Sequence, residues 1–334
     1  MKKNIAFVLV LILIFTAITA LIINVKHPAN KNKGEKIEVI ATLFPQYDFA
    51  KQIGGDKVNV TLLLPPGTES HTYEPTPQDM VQINESDLFV FTGAEMEPWT
   101  ENLISGMKNN INVLDLSKTV DLINVEEFEE EHENHSDADE DEEHEHEHEH
   151  VHHHEDEHNH TYDPHIWLNP QYAIKMAKSI EEELIKIDPE NAEYYKSNAE
   201  KYIAEIQELD NQFEQTVKNS NNNKIAFGGA FAYAYFVERY NLEFISAYET
   251  CGESAEPSTT QIKEVIDYIK ENHIPVVFYK EYSSGNIAKT ISEATGTKML
   301  VFNTVHNVSK EEMQNGATYI SIMQQNLENL KQAL

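Results

Sequence analysis

Apolar and polar residues alternate at the start of 36–43 (Lys-Ile-Glu-Val-Ile-Ala-Thr-Leu), and the segment then turns wholly apolar. That is the pattern of a strand buried on both faces, as in a parallel sheet. Residues 45–54 predict a helix, and 58–64 a second strand stopped by Pro65-Pro66-Gly67. A helix over 76–86 is signalled by Thr76 as its cap and Pro77 at its first position, where a missing amide hydrogen costs nothing. Segments 87–92 and 112–116 supply two more strands. Strands alternating with helices predict βα units around a parallel sheet.

A helix is predicted over 170–187, stopped by Asp188-Pro189. The longest regular element follows at 190–218. Its apolar residues Ala192, Tyr195, Ala199, Tyr202, Ile206, Leu209, Phe213 and Val217 recur every three or four positions. They make one stripe on a helix of roughly 40 Å. A coiled coil would show e/g charge pairing, which is absent. A second series has strands at 224–227, 243–247, 275–279 and 298–303. Its helices are expected at 231–240, 258–272 and 283–295, with a last one at 311–334 broken near Gly316. The fold class is therefore α/β: two lobes, each with a central parallel sheet flanked by helices, joined by one long linker helix. The divisions expected are 36–187 for the first lobe, 188–221 for the linker helix and 222–334 for the second lobe.

The two ends of the pattern differ from this core. After Met1-Lys2-Lys3-Asn4, residues 5–25 carry no charge. As a helix they would span roughly 31 Å, close to a bilayer core. Ile18-Thr19-Ala20 is a poor cleavage site and no Cys follows, so 1–25 reads as a membrane anchor in preference to a cleaved signal. Residues 26–35, rich in Pro, Asn, Lys and Gly, read as a flexible linker. Either reading exports the rest of the chain, leaving it tethered to the outer face of the membrane or secreted.

Charge changes the picture further. The chain of 334 residues has a formal net charge of −32, and much of it lies in 126–160. That tract holds eleven of the sixteen histidines, eighteen acids and no Lys or Arg. With it set aside, 39 acids face 25 bases, a moderately acidic surface that argues against nucleic-acid binding. The tract cannot form a core and is expected to lack regular structure. Imidazole and carboxylate are ligands that divalent metals favour, so it reads either as a low-affinity collector of metal or as a solvated spacer. One cysteine, Cys251, excludes an internal disulfide.

In open α/β sheets ligands gather at the carboxyl ends of strands. His71 follows the second strand, held between prolines in Pro66-Gly67-Thr68-Glu69-Ser70-His71-Thr72-Tyr73-Glu74-Pro75. His165 stands in Asp163-Pro164-His165-Ile166-Trp167-Leu168-Asn169-Pro170, directly after the tract. Glu281 follows strand 275–279, and His306 follows strand 298–303. Each has a plain structural alternative: a hydrogen-bonded loop histidine, or a carboxylate at the positive end of a helix. Four such residues at turns and strand exits, in a chain with a metal-rich tract, are more than independent accidents supply.

With these segments, and with Gly93-Ala94-Glu95-Met96-Glu97-Pro98-Trp99, Glu256-Pro257-Ser258 and Tyr319-Ile320-Ser321-Ile322-Met323-Gln324-Gln325-Asn326-Leu327, the chain from 36 to 334 resembles the metal-binding substrate-binding proteins of ABC transporters, the zinc and manganese class. The resemblance implies two lobes bridged by a rigid helix, with the metal in the cleft. It implies His71 and His165 as first-lobe ligands and Glu281 as the second-lobe carboxylate. The family's remaining ligand falls, by alignment on Arg239-Tyr240, at Ala230, which cannot bind metal. His306 is the first choice to replace it, with Cys251, Glu256 or water as alternatives.

The function expected is capture of Zn2+, with Mn2+ as the competitor, and delivery to an ABC permease and its ATPase by a monomeric extracytoplasmic protein. A surface adhesin-like protein is the rival class. An enzyme is not expected, because a metallohydrolase would need an open metal position and a general base, and no His-Glu-x-x-His helix is present.

Overall fold

The computed structural model describes residues 36–107, 111–133, 161–248 and 257–334. The 1–25 and 26–35 segments, most of the His-rich tract, Cys251 and Glu256 lie outside the described residues. Among the described residues no helix is long and apolar enough to cross a membrane.

The first lobe is built on β1 (Ile37–Ala41), β2 (Val58–Leu62), β3 (Leu88–Phe91) and β4 (Asn112–Asp115), all parallel, in the order β2-β1-β3-β4. The second uses β5 (Lys224–Phe227), β6 (Glu243–Ser246), β7 (Val276–Tyr279) and β8 (Lys298–Val301) in the same order, β6-β5-β7-β8. In each sheet the first strand is flanked by the second on one side and the third on the other. This reversal opens a crevice at the carboxyl ends of the strands. It is one architecture used twice, with no close internal sequence repeat.

Local signals set the helix ends. In α1 (Phe44–Gly54) Pro45 occupies the first turn. In α2 (Pro77–Glu85) Thr76 and Asp79 form a reciprocal capping box. Short α3 (Trp99–Gly106) and α4 (Val125–Glu133) follow. Asn169 caps α5 (Pro170–Ile187), and the linker helix is α6 (Ala192–Asn219). The second lobe adds α7 (Ala234–Tyr240), α8 (Thr259–Glu271, boxed by Ser258 and Gln261) and α9 (Asn286–Thr295). Last come α10 (Lys310–Gln314) and α11 (Tyr319–Ala333), parted at Gly316, whose φ of 76° breaks the helix as expected.

The α6 stripe lies in the core: Tyr195, Ala199, Tyr202, Ile206, Leu209 and Phe213 are buried. Buried residues of both lobes join α6 in one continuous cluster. Asp48 of α1 ties three elements, accepting from the Tyr202 hydroxyl at 2.7 Å and the Tyr319 amide at 2.8 Å. A linker so embedded permits small shifts of the lobes and resists wide opening.

Two expectations are corrected. The tract was expected to lack structure from residue 126, but its first residues belong to α4. Phe128 is buried there against Phe231 and Phe244 of the second lobe, with ring centroids at 6.3 and 5.9 Å. Likewise 231–233 are not helical. Phe231 stacks on Phe244 at 4.1 Å and the Tyr233 hydroxyl donates to the Phe302 carbonyl, so these residues stay outside the helix until α7 begins. Just before them, a Cβ at Gly228 would stand 2.6 Å from the Ala288 backbone of α9, so only glycine allows that approach.

Candidate metal centre

His71 lies in the loop between β2 and α2, and His165 immediately before a short turn over Ile166–Leu168. Their ring centroids are 5.4 Å apart. Two imidazoles on one tetrahedral zinc, with Zn–N of about 2.0 Å, would have centroids roughly 5 Å apart. His165 is 2% exposed. Its Nδ1 faces Asp163 Oδ1 at 3.0 Å and its backbone amide donates to the same oxygen at 2.7 Å. This is the orienting carboxylate that metal-bound histidines carry, and it leaves Nε2 for the ion. Asp163 is fixed in turn by the second lobe. The Tyr235 hydroxyl donates to the Asp163 carbonyl at 2.9 Å and accepts from the Ile123 amide at 3.0 Å. An antiparallel bridge between Asn124 and Tyr162 completes the neck of the tract.

The second lobe brings Glu281 and His306 together. Glu281 Oε1 is 3.2 Å from His306 Nδ1, while Oε2 accepts from the Thr304 amide at 2.8 Å and Oε1 from its hydroxyl at 2.5 Å. The Thr304 hydroxyl also contacts His306 Nδ1. Burial acts to raise the Glu281 carboxyl, but His306 and Thr304 outweigh it and hold the group below its ordinary range. With Nδ1 engaged, the buried Nε2 of His306 has no hydrogen-bond partner among the described residues, which marks a nitrogen shaped for something else. Strain follows Glu281 and precedes His306: Tyr282 has φ 60° and Val305 φ 61°, conformations that bulky and β-branched residues avoid.

Segment 304–308 is stitched to both first-lobe loops. Trp167 Nε1, two residues beyond His165, donates to the Thr304 carbonyl at 2.7 Å. Asn307 Nδ2 donates to the Pro65 and Thr68 carbonyls at 2.8 Å, just before His71. The Gly67 amide donates to the Val308 carbonyl at 2.9 Å, and the Phe44 amide to the His306 carbonyl at 3.1 Å. His306 is thus locked between the loops of the two first-lobe histidines. Glu69, on the His71 loop, is paired with Lys280 at 3.1 Å. Burial pushes its carboxyl up, but Lys280, His306 and His71 together bring it down to about 2. The sequence reading passed over Glu69, Lys280 and Thr304, although each adjoins a candidate.

Among the described residues no three His, Cys, Asp or Glu side chains already stand as a metal cage. The two pairs, His71 with His165 and Glu281 with His306, form separately. Glu281 is turned onto Thr304, yet a carboxylate offers about four lone-pair sites, so it can keep the amide and still accept a cation. Ala230, at the place of the expected fourth ligand, is buried and supplies no donor.

Glu97 in the Gly93–Glu97 run is structural. It accepts from the Thr42 hydroxyl at 2.5 Å and from the Thr92 and Gly93 amides, tying the exits of β1 and β3 together. Burial, against these hydrogen bonds, pushes its carboxyl from 4.5 up to about 7. A raised carboxyl means the folded protein binds the proton more tightly than the unfolded chain. Its contribution is therefore complete below pH 4.5 and is lost as pH rises through about 7. Relative to Glu97→Gln, the wild type is expected to lose up to about 3 kcal/mol across that window. Denaturant melts of both proteins at several pH values check this, and a pH-independent difference refutes it.

The model of a family described as "Zinc-uptake complex component A periplasmic" matches residues 39–333. The chain belongs to that family. It is 36% identical over 304 residues to the high-affinity zinc uptake system protein ZnuA of Bacillus subtilis, covering 91% of this chain and 89% of that protein. Its fold is similar to that of the metal-dependent lipoprotein YcdH from Bacillus subtilis, with a TM-score of 0.72, 33% identity, and coverage of 90% of this chain and 99% of the other. It is also similar to Zn(II)-bound AdcA from Streptococcus pneumoniae, with a TM-score of 0.70 and 28% identity; 89% of this chain matches 57% of that longer one. The zinc-uptake component fold therefore accounts for the twin sheets and the helix between them.

Proposed function

We propose that this chain is the extracytoplasmic zinc-capturing component of an ABC importer. It takes one Zn2+ between its lobes and delivers it to a membrane permease driven by an ATPase. The ligands proposed are His71, His165, His306 and Glu281. The observation that supports this reading is the stitching of segment 304–308, which carries His306 and its buried, unpartnered Nε2, to the loops that carry His71 and His165. Three imidazoles and one carboxylate make a closed four-coordinate shell, suited to carrying an ion and unsuited to activating water. The zinc-uptake family, and relatives named for zinc, support the same cargo.

Imidazole-rich shells favour zinc, whereas manganese prefers oxygen donors. Titration of the full chain against a chromophoric chelator, strong enough to silence the tract, is expected to show one tight zinc equivalent. Manganese is expected to bind at least about 100-fold more weakly. Equal or tighter manganese binding would overturn the assignment of cargo. Tethering through 1–25 and a monomeric state belong to the same proposal, supported by the uncharged run 5–25 and by proposed ligands drawn from a single chain.

A further inference from the structure

A receptor for a dication should avoid burying a cation of its own beside the site, since the two repel strongly where water is scarce. Lys280 does so. It is 6% exposed, stands at the exit of β7 next to Glu281, and points its ammonium across to Glu69 at 3.1 Å. Burying an ammonium is costly unless it is paired, and Glu69 supplies the pair. Glu69 stands two residues before His71, and Lys280 directly before Glu281, so the pair links the loops of two residues proposed as ligands from opposite lobes. The Glu69 carboxylate is thus shared between an internal cation and the place of the external one.

We infer that Lys280 acts as a resident stand-in for the cargo: its ammonium competes with Zn2+ for the field of Glu69, lowering affinity and hastening release to the permease. The inference rests on the zinc reading above. Before capture, Lys280 neutralises Glu69 and keeps the His71 loop facing the second lobe. When zinc arrives, Glu69 turns from the ammonium toward the dication, and the residual repulsion from Lys280 keeps the complex from becoming irreversible. Lys280 is a positioning residue that acts through charge, and it need not touch the metal.

The charge role and a purely mechanical one predict opposite signs. If the Glu69–Lys280 pair only straps the lobes together, removing either end weakens zinc binding. If Lys280 competes with the cargo, removing it tightens binding while removing Glu69 weakens it. Zinc affinity is measured on the full chain by chelator competition, and release by stopped-flow capture. Lys280→Met, and Lys280→Gln as a second neutral variant, are expected to bind about tenfold tighter with correspondingly slower release, while Glu69→Gln binds about tenfold more weakly. Lys280→Arg keeps the charge and is expected to stay within about threefold of wild type. Neutral variants that bind zinc no tighter than wild type overturn the inference. A wild-type chain that takes up no tight zinc overturns instead the reading beneath it, so the two failures are distinguishable.

Discussion

His306→Ala is expected to weaken zinc binding by about 100-fold or more, the largest loss for a histidine outside the first lobe. Removing one imidazole from a four-ligand shell forfeits a fair share of a binding free energy that exceeds about 10 kcal/mol in closed zinc sites. Alanine also leaves the Thr304 hydroxyl and Glu281 facing a buried gap where Nδ1 had been. Thr304→Val, which removes the hydroxyl that orients the ring, is expected to cost about tenfold, within the usual range for an orienting partner. The exposed His273, on a turn after α8, serves as the control, and its replacement is expected to leave affinity unchanged. Chelator competition on the four proteins checks this. If His306→Ala binds as tightly as wild type, His306 leaves the proposed shell and the fourth position passes to Cys251, Glu256 or water.

Strand exits were legible because each strand ends in its own punctuation. Pro65-Pro66-Gly67 stops β2, and the apolar run of β7 breaks into Lys280-Glu281. Given the rule that ligands gather at carboxyl edges, the sequence alone selects His71, Glu281 and His306 as candidates. Helix starts at Thr76, Pro170 and Ser258 were legible for the same local reason. What could not be read is whatever depends on distant partners. Helix α4 is mostly Glu, and its one large buried side chain, Phe128, packs on Phe231 and Phe244 about a hundred residues away. The irregular run 231–233 is held by the same stack, overriding a helical pattern. The Glu69–Lys280 pair spans 211 positions, and the Asn307 clamp on Pro65 spans 242. No periodicity in a window of ordinary length reports such pairings.

The same distinction decides the second large effect. Asp210 sits on α6 at 0% exposure, where the helical stripe alone would call for an apolar residue. It survives there because its charge is fully engaged. Arg239 of α7 donates from Nε to Oδ1 at 3.1 Å and from Nη2 to Oδ2 at 2.6 Å. The Tyr240 hydroxyl reaches Oδ1 at 2.8 Å, and Gln171 of α5 reaches Oδ2 at 2.7 Å. One carboxylate thus joins the linker helix to a helix of each lobe. Asp210→Ala strands a guanidinium, a hydroxyl and an amide around a cavity, and is expected to cost about 3–5 kcal/mol. Asp210→Asn keeps the shape but loses the charge and one acceptor, and is expected to cost about half as much. In the Arg239→Met background the Asp210→Ala loss should shrink, because the stranded cation is gone. Denaturant unfolding followed by helical signal checks the series. Zinc affinity measured beside it is expected to fall far less than in His306→Ala, since the ligand loops are stitched to one another directly and not through this carboxylate. A loss below about 1 kcal/mol for Asp210→Ala would mean that apolar packing along α6, and not the Asp210 network, holds the lobes in register.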